Sequence, residues 1–229
     1  MRRTGAAQQA SGAILQAAER LFSERGFSAV SLREVAREAS VNVGSVTYHF
    51  GDKLGLLQAI YDLRTRPMNA RRLELLGEAR RIPDPHQRLT AILRAYLLPA
   101  FSSSEDLAGG GARFTRMRAL LSAEGDPNAR RIIAEAFDTT TRAFIDAIAE
   151  CLPGAARDDI VWRSHFLLGA LYYTLINPER IERLSDGRAD AGDHETAIRL
   201  IVEASSASFW ALNAPEAAAT EKTKTRGRT

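Results

Sequence analysis

The residues with the most chemical character lie in one short stretch: Asn42, Ser45, Thr47, Tyr48 and His49, followed by Lys53. An amide, two hydroxyls, a phenol and an imidazole make a neutral, hydrogen-bonding and aromatic face, which suits a DNA major groove better than bond-making chemistry. A catalytic alternative finds little to work with. His49, His86, His165 and His194 are scattered without HExxH or other ligand spacing. Cys151 is the only cysteine, which excludes an intrachain disulfide and a cysteine-based metal cluster and reads as a buried thiol. Gly109, Gly110 and Gly111 lack the strand and phosphate-loop context of a nucleotide site and read as a flexible loop. The expectation is therefore no enzyme, no metal and no cofactor.

Presenting such a face requires a short helix held at a fixed angle by its neighbours. Ile14, Leu15, Ala18, Leu21 and Phe22 form one apolar stripe, and Gly26 stands where a helix C-terminus would put it. Ser31 with Glu34 three residues on is a capping box, opening a second helix whose inner face is Leu32, Val35, Ala36 and Ala39. Ala36 is small enough for a helix crossing, and Val41 supplies the apolar plug of a tight turn. A third helix is predicted from Val43 to His49, with Val46 and Phe50 inward, and a fourth from Lys53 to Arg66. Pro67 predicts a kink or break there, with helix resuming over 69–80. Further helices are predicted over 86–101, 112–123, 126–151, 157–176 and 194–213, separated by loops at 102–111, 152–156 and 177–193. No run has strand character, so the fold class is all-α: a three-helix helix-turn-helix domain over 1–53, a helical domain over 54–213 and a disordered tail over 214–229.

The stretches Ser31 to Ala39 and Val41 to Lys53, with the spacing Gly44-x-x-x-Tyr48-His49-Phe50-x-x-Lys53, resemble the DNA-binding domain of the TetR family of bacterial regulators, and the likeness covers residues 11–62. Two positions depart from the family pattern. Ser40 stands where glycine is usual in the turn, and Thr47 where tyrosine is frequent. The resemblance implies a transcriptional regulator, usually a repressor, bound as a homodimer to a palindromic double-stranded DNA operator. It gives Ser31, Arg33, Tyr48, His49 and Lys53 to the phosphate backbone, and Asn42, Ser45 and Thr47 to base edges. Arg2 and Arg3 are either a groove-tracking arm or ordinary solvated terminus.

Beyond about Asp62 the resemblance is architectural. It implies a helical domain that dimerises through its last two long helices, 157–176 and 194–213, and encloses a small-molecule effector pocket. Ile160, Val161, Phe166, Leu167, Leu168, Leu171 and Leu175 make the first of these apolar on more than one face, which calls for cover on several sides. Arg113, Phe114, Met117, Phe137, Phe144, His165 and Tyr172 are the pocket candidates, each with ordinary core packing as its alternative. The runs Arg66 to Arg72 and Tyr96 to Phe101 resemble a TetR branch that includes regulators of fatty-acid metabolism, which implies a hydrophobic or acyl effector.

Bulk properties fit this frame. The chain has 229 residues, 45% of them hydrophobic, enough for a substantial core. Residues 1–53 carry seven basic and five acidic side chains, and the segment 221–229 four basic and one acidic; with a total of +3, this leaves −2 for the middle. No apolar run approaches the roughly 20 residues of a membrane helix, so the expectation is a cytoplasmic protein without a membrane partner. Two other readings stay open: a helical small-molecule sensor without specific DNA binding, and a helical protein with no nucleic-acid role.

Overall fold

The computed structural model describes residues 2–102 and 111–213, with side chains from Gln8 onward. Ten α-helices and one 3-10 turn account for the order of these residues, and no strand occurs among them. The helices are α1 (Arg2–Arg25), α2 (Leu32–Glu38), α3 (Val43–Phe50), α4 (Lys53–Ala79), α5 (Pro85–Phe101), α6 (Gly111–Glu124), α7 (Pro127–Cys151), α8 (Arg157–Ile176), α9 (Glu179–Leu184) and α10 (His194–Trp210). Helix α1 reaches back to Arg2, while the side chains of the expected arm at Arg2 and Arg3, most of the 102–111 loop and the 214–229 tail lie outside the described residues.

Short polar side chains start most of these helices by accepting a backbone N–H that the first turn leaves without a partner. Asp52 accepts from Gly55, Asp84 from Gln87, Asp126 from Ala129 and Asp193 from Thr196, at 2.7 to 3.0 Å. Pro85 and Pro127 then occupy the first helical position, where a missing N–H costs nothing.

Two predicted boundaries differ from the structure. Pro67 does not interrupt α4, which runs through it to Ala79. An interior proline costs about 3 kcal/mol, but Tyr61, Thr65, Met68, Arg72 and Leu76 are buried on both sides of it, and their packing holds the helix together. Leu63 is half exposed, so water can reach the carbonyl left without a donor. The polar connection 177–193 contains a single helical stretch, α9, whose first turn carries Glu179 and Glu182 at the positive end of the helix.

The interior forms two apolar clusters. One joins Ile14, Phe22, Val35, Val46, Leu57, Ile60 and Met68 of the first four helices to Phe114, Met117 and Leu121 of α6 and to Ile132 and Phe137 of α7. The other packs Leu76, Leu93, Tyr96, Ile148, Leu171 and Phe209 from α4, α5, α7, α8 and α10. Helices α4 and α7 contribute to both, so the core does not divide where the helix-turn-helix ends. Buried Glu19 of α1 accepts from Arg64 Nε of α4 at 2.8 Å, a further tie across this seam. Cys151 is buried, and burial pushes its thiol up from the ordinary value.

The turn between α2 and α3 shows how the recognition angle is set. Val41 N–H donates to Ala36 O at 2.9 Å and Ser40 N–H to Arg37 O at 3.2 Å, the paired bonds of a Schellman ending. That ending needs a left-handed residue, and Ser40 fills it with φ 55°. A side chain in this conformation costs on the order of 1 kcal/mol, so Ser40→Gly is expected to raise unfolding stability by about 0.5 to 1 kcal/mol. Urea denaturation measures this, and an unchanged or lower midpoint would show that Ser40 bears no strain.

Candidate functional site

Helix α3 is anchored by one fully buried residue, Val46, with Phe50 partly covered. Its other faces stay outside. Tyr48 is 85% exposed, Asn42 and Thr47 are exposed, and Ser45 and His49 are half-buried. The structure thus brings Asn42, Ser45, Thr47, Tyr48 and His49 together on a two-turn helix. The rings of Tyr48 and His49 meet edge to face at 5.3 Å.

Several of these groups are already committed locally. Asn42 caps α3, its Oδ1 accepting from Ser45 N–H at 2.7 Å, so its Nδ2 donors remain for an outside acceptor. Thr47 Oγ1 donates to Val43 O at 3.3 Å, which leaves its lone pairs and methyl group outward. Ser31 Oγ lies 3.3 Å from Glu34 N as acceptor, and the Glu34 carboxylate takes Ser31 N–H and Oγ–H at 2.8 Å each, completing the expected capping box. Those bonds to Ser31 and the Arg25 guanidinium at 2.8 Å pull the Glu34 carboxyl down to about 2. Arg33 is exposed on the first turn of α2.

Lys53 is partly buried rather than free in solvent. Its Nζ sits 4.4 Å from the centre of the Phe27 ring and donates to Ser28 O at 3.4 Å. Burial lowers its pKa, with Glu124 and Glu34 opposing that shift. Glu124 is a link that sequence reasoning missed. From the last residue of α6 it accepts Phe27 N–H at 2.6 Å, Ser28 N–H at 2.9 Å and Ser28 Oγ–H at 2.6 Å. Arg116 Nε of the same helix donates to Ser23 O at 3.1 Å. Helix α6 therefore holds the α1–α2 turn through directional bonds.

A cavity of about 230 Å³ lies among α5, α6, α7 and α8. Of the seven pocket candidates, Phe137, Phe144, His165 and Tyr172 line it. Phe114 and Met117 lie instead in the cluster beneath the helix-turn-helix, where Phe114 meets Tyr61 at 5.1 Å between ring centres. Arg113 is exposed and borders a separate polar groove with Ser23, Glu24 and Arg116. The cavity's cation is Arg118, five residues along α6 on a different face. Arg118 and Arg72 are 2% and 0% exposed. Their signal in the sequence was positional: Arg72 falls four residues after Met68 and four before Leu76, on the buried stripe of α4.

On the outer side of α8, Trp162 and Phe166 are each 60% exposed, and Val161, Tyr173 and Leu200 of α10 are also open. Trp162, Phe166 and Tyr173 recur at helical spacing and form one unpartnered apolar stripe. Among the described residues no helix is long and apolar enough to cross a membrane, and no group of three or more His, Cys, Asp or Glu is placed to hold a metal.

The fold and its exposed α3 define a helix-turn-helix protein with an appended helical domain. Residues 14–60 match the family of bacterial regulatory proteins named tetR, and residues 94–208, half of the chain, match the tetracyclin repressor-like C-terminal domain. The chain belongs to the TetR family. It is 40% identical over 87 residues to the HTH-type transcriptional regulator AcrR of Shigella flexneri, covering 38% of this chain and 40% of AcrR. It is 39% identical over 87 residues to the HTH-type transcriptional repressor BepR of Brucella suis, covering 38% of this chain and 40% of BepR. These matches span less than half the length of either curated relative. A transcriptional regulator from Rhodococcus sp. Rha1 shares the fold with a TM-score of 0.53 at 18% identity, over 88% of this chain and 95% of that one. The fatty acid degradation regulator FadR from Bacillus halodurans does so with a TM-score of 0.52 at 14% identity, over 84% and 94%.

Proposed function

We propose that the chain is a one-component repressor that binds a short palindromic operator as a homodimer and leaves it when a small molecule fills the cavity. The observation that carries this reading is α3 itself, a two-turn helix pinned by Val46 and a Schellman turn while Thr47 and Tyr48 stand clear of the protein. In the groove, the Asn42 Nδ2 donors, Ser45 and the Thr47 methyl and lone pairs face base edges. Arg33, Tyr48, His49 and Lys53 contact phosphates on either side, and Ser31 fixes the N-terminus of α2, whose free N–H groups favour an anion.

A homodimer is supported by the stripe on α8 and its neighbour Leu200 on α10, which a second copy covers as a four-helix bundle. Two α3 helices then sit about 34 to 36 Å apart, one turn of DNA. The cavity reaches the same face through Val161 and His165, so a paired subunit also closes that side. Movement of α6 on ligand binding passes to the α1–α2 turn through Glu124, and shifts of a few Å at α3 misplace several contacts together.

A gel shift with the DNA upstream of the coding region tests the proposal, with binding expected to be specific and to fall steeply with salt. Thr47→Ala is expected to change sequence preference at one position by about 1 to 3 kcal/mol, whereas Lys53→Ala weakens binding to all sequences alike. Identical behaviour of the two variants would overturn the division into readers and anchors. Specific small-molecule binding without any operator shift would favour a sensor that does not read DNA.

A further inference from the structure

The least expected group in the interior is a pair of arginines without an acid. Arg72 Nε donates to Tyr96 O at 2.9 Å, but both its terminal nitrogens are buried with no hydrogen-bond partner. Arg118 Nε and one terminal nitrogen are in the same state. Neither guanidinium forms an ion pair among the described residues. Their neighbours are rings and phenols: Arg72 lies 4.2 Å from the Tyr96 centroid, and Arg118 lies 4.1 Å from Phe137 and 5.1 Å from Tyr172, with hydrogen bonds to the Tyr172 and Tyr96 hydroxyls. Cation–π contact recovers about 2 kcal/mol or more for such desolvated groups but satisfies no N–H donor. A buried charge without a counter-ion is costly, and each donor left unbonded adds to that cost.

The cavity supplies what is missing. Arg118 lines it, and Arg72 stands behind Tyr96 and Phe137, which form its wall. Away from Arg118 the lining turns apolar, with Ile92, Leu93, Phe144, Ile145, Ile148 and Leu168. Asp138, exposed at the rim, disfavours an anion at the mouth and leaves the Arg118 end as the place for one. Burial opposes ionisation of the Tyr96 phenol, yet Arg72 and Arg118 together hold its pKa below the ordinary value, a sign of positive potential at that wall.

We propose that the cavity takes a small organic monoanion, a carboxylate with an apolar body, paired with the Arg118 guanidinium that lines it and its charge further stabilised by Arg72. A medium-chain or single-ring acid matches a cavity of this size. The assignment rests on the reading of this cavity as the effector site and names its ligand class.

Titration calorimetry on the full-length protein without DNA, using sodium octanoate against 1-octanol, tests it. Octanoate is expected to bind roughly 30-fold tighter than octanol, the difference a charge-assisted hydrogen-bonded pair makes. Arg118→Met is expected to erase that preference while octanol binding persists, Arg118→Lys to keep part of it, and Arg72→Met to weaken octanoate several-fold. Equal binding of acid and alcohol by the unaltered protein, or no binding of either, overturns the assignment, and that comparison needs no variant to fold. Octanoate binding that never displaces operator DNA leaves the ligand class standing and refutes the release mechanism alone.

Discussion

Glutamate at both Trp162 and Phe166 is expected to convert the protein to a monomer and to lower operator affinity by roughly 100-fold or more. Each side chain is 60% exposed in the single chain, and their rings lie 5.9 Å apart, so the pair forms the most prominent apolar feature of α8. Such aromatic anchors dominate interface energetics when a partner covers them. Two carboxylates in their place would be buried without counter-ions on association. Because neither residue belongs to a core cluster, thermal stability of the monomer should change little. Light scattering and a gel shift read the two effects separately. A variant that stays dimeric would move the interface elsewhere, and a monomer with undiminished affinity would remove the palindromic operator from the proposal.

The second large effect is on stability. Phe114→Ala is expected to cost about 3 to 5 kcal/mol, the range for truncating a fully buried phenylalanine. Phe114 sits where α4, α6 and α7 meet, edge to face with Tyr61 at 5.1 Å and tilted against Phe137 at 6.4 Å. Its loss leaves a hole between the helix-turn-helix and the helical domain. At roughly 2 to 4 °C per kcal/mol for a chain of this size, the melting temperature should fall by about 10 °C. Were Phe114 instead a loosely packed wall of the effector cavity, as its sequence context suggested, the cost would be smaller and a change in ligand affinity would accompany it. Urea midpoints at constant m value decide between these.

How far the sequence could be read depended on the range of the interactions involved. Capping is local, so Ser31 with Glu34 marked the start of α2, and the predicted starts of α4, α5, α7 and α10 fall within a residue of the observed ones, where Asp52, Asp84, Asp126 and Asp193 are the caps. The inward set Val35, Ala36 and Val46 followed from spacing alone, and these residues are buried. Pro67 misled because a local rule met a non-local compensation, the packing on both sides of the proline. The cavity was half legible. Aromatic residues such as Phe137 and Phe144 announce an interior, whereas the choice between Arg113 and Arg118 turns on helix phase against α1 and α7, which no spacing along α6 reveals. Glu124 was invisible for the same reason: its partners Phe27 and Ser28 are 97 and 96 residues away in the chain.

That carboxylate also fixes what evolution and engineering can do at one distant position. Gly26 has φ 85°, and a Cβ there would collide with Glu124 Oε1. Gly51 has a similar φ of 75° but open space around it. A saturation library should therefore return mostly glycine at both positions, at 51 because φ 75° with ψ −89° lies outside the left-handed helical region that asparagine adopts, and at 26 with the added need to displace Glu124 Oε1. A side chain at 26 should more often survive beside a shortened residue 124, whereas a change at 124 alone meets no clash with Gly26, a one-way constraint readable from survivors without any assay of DNA.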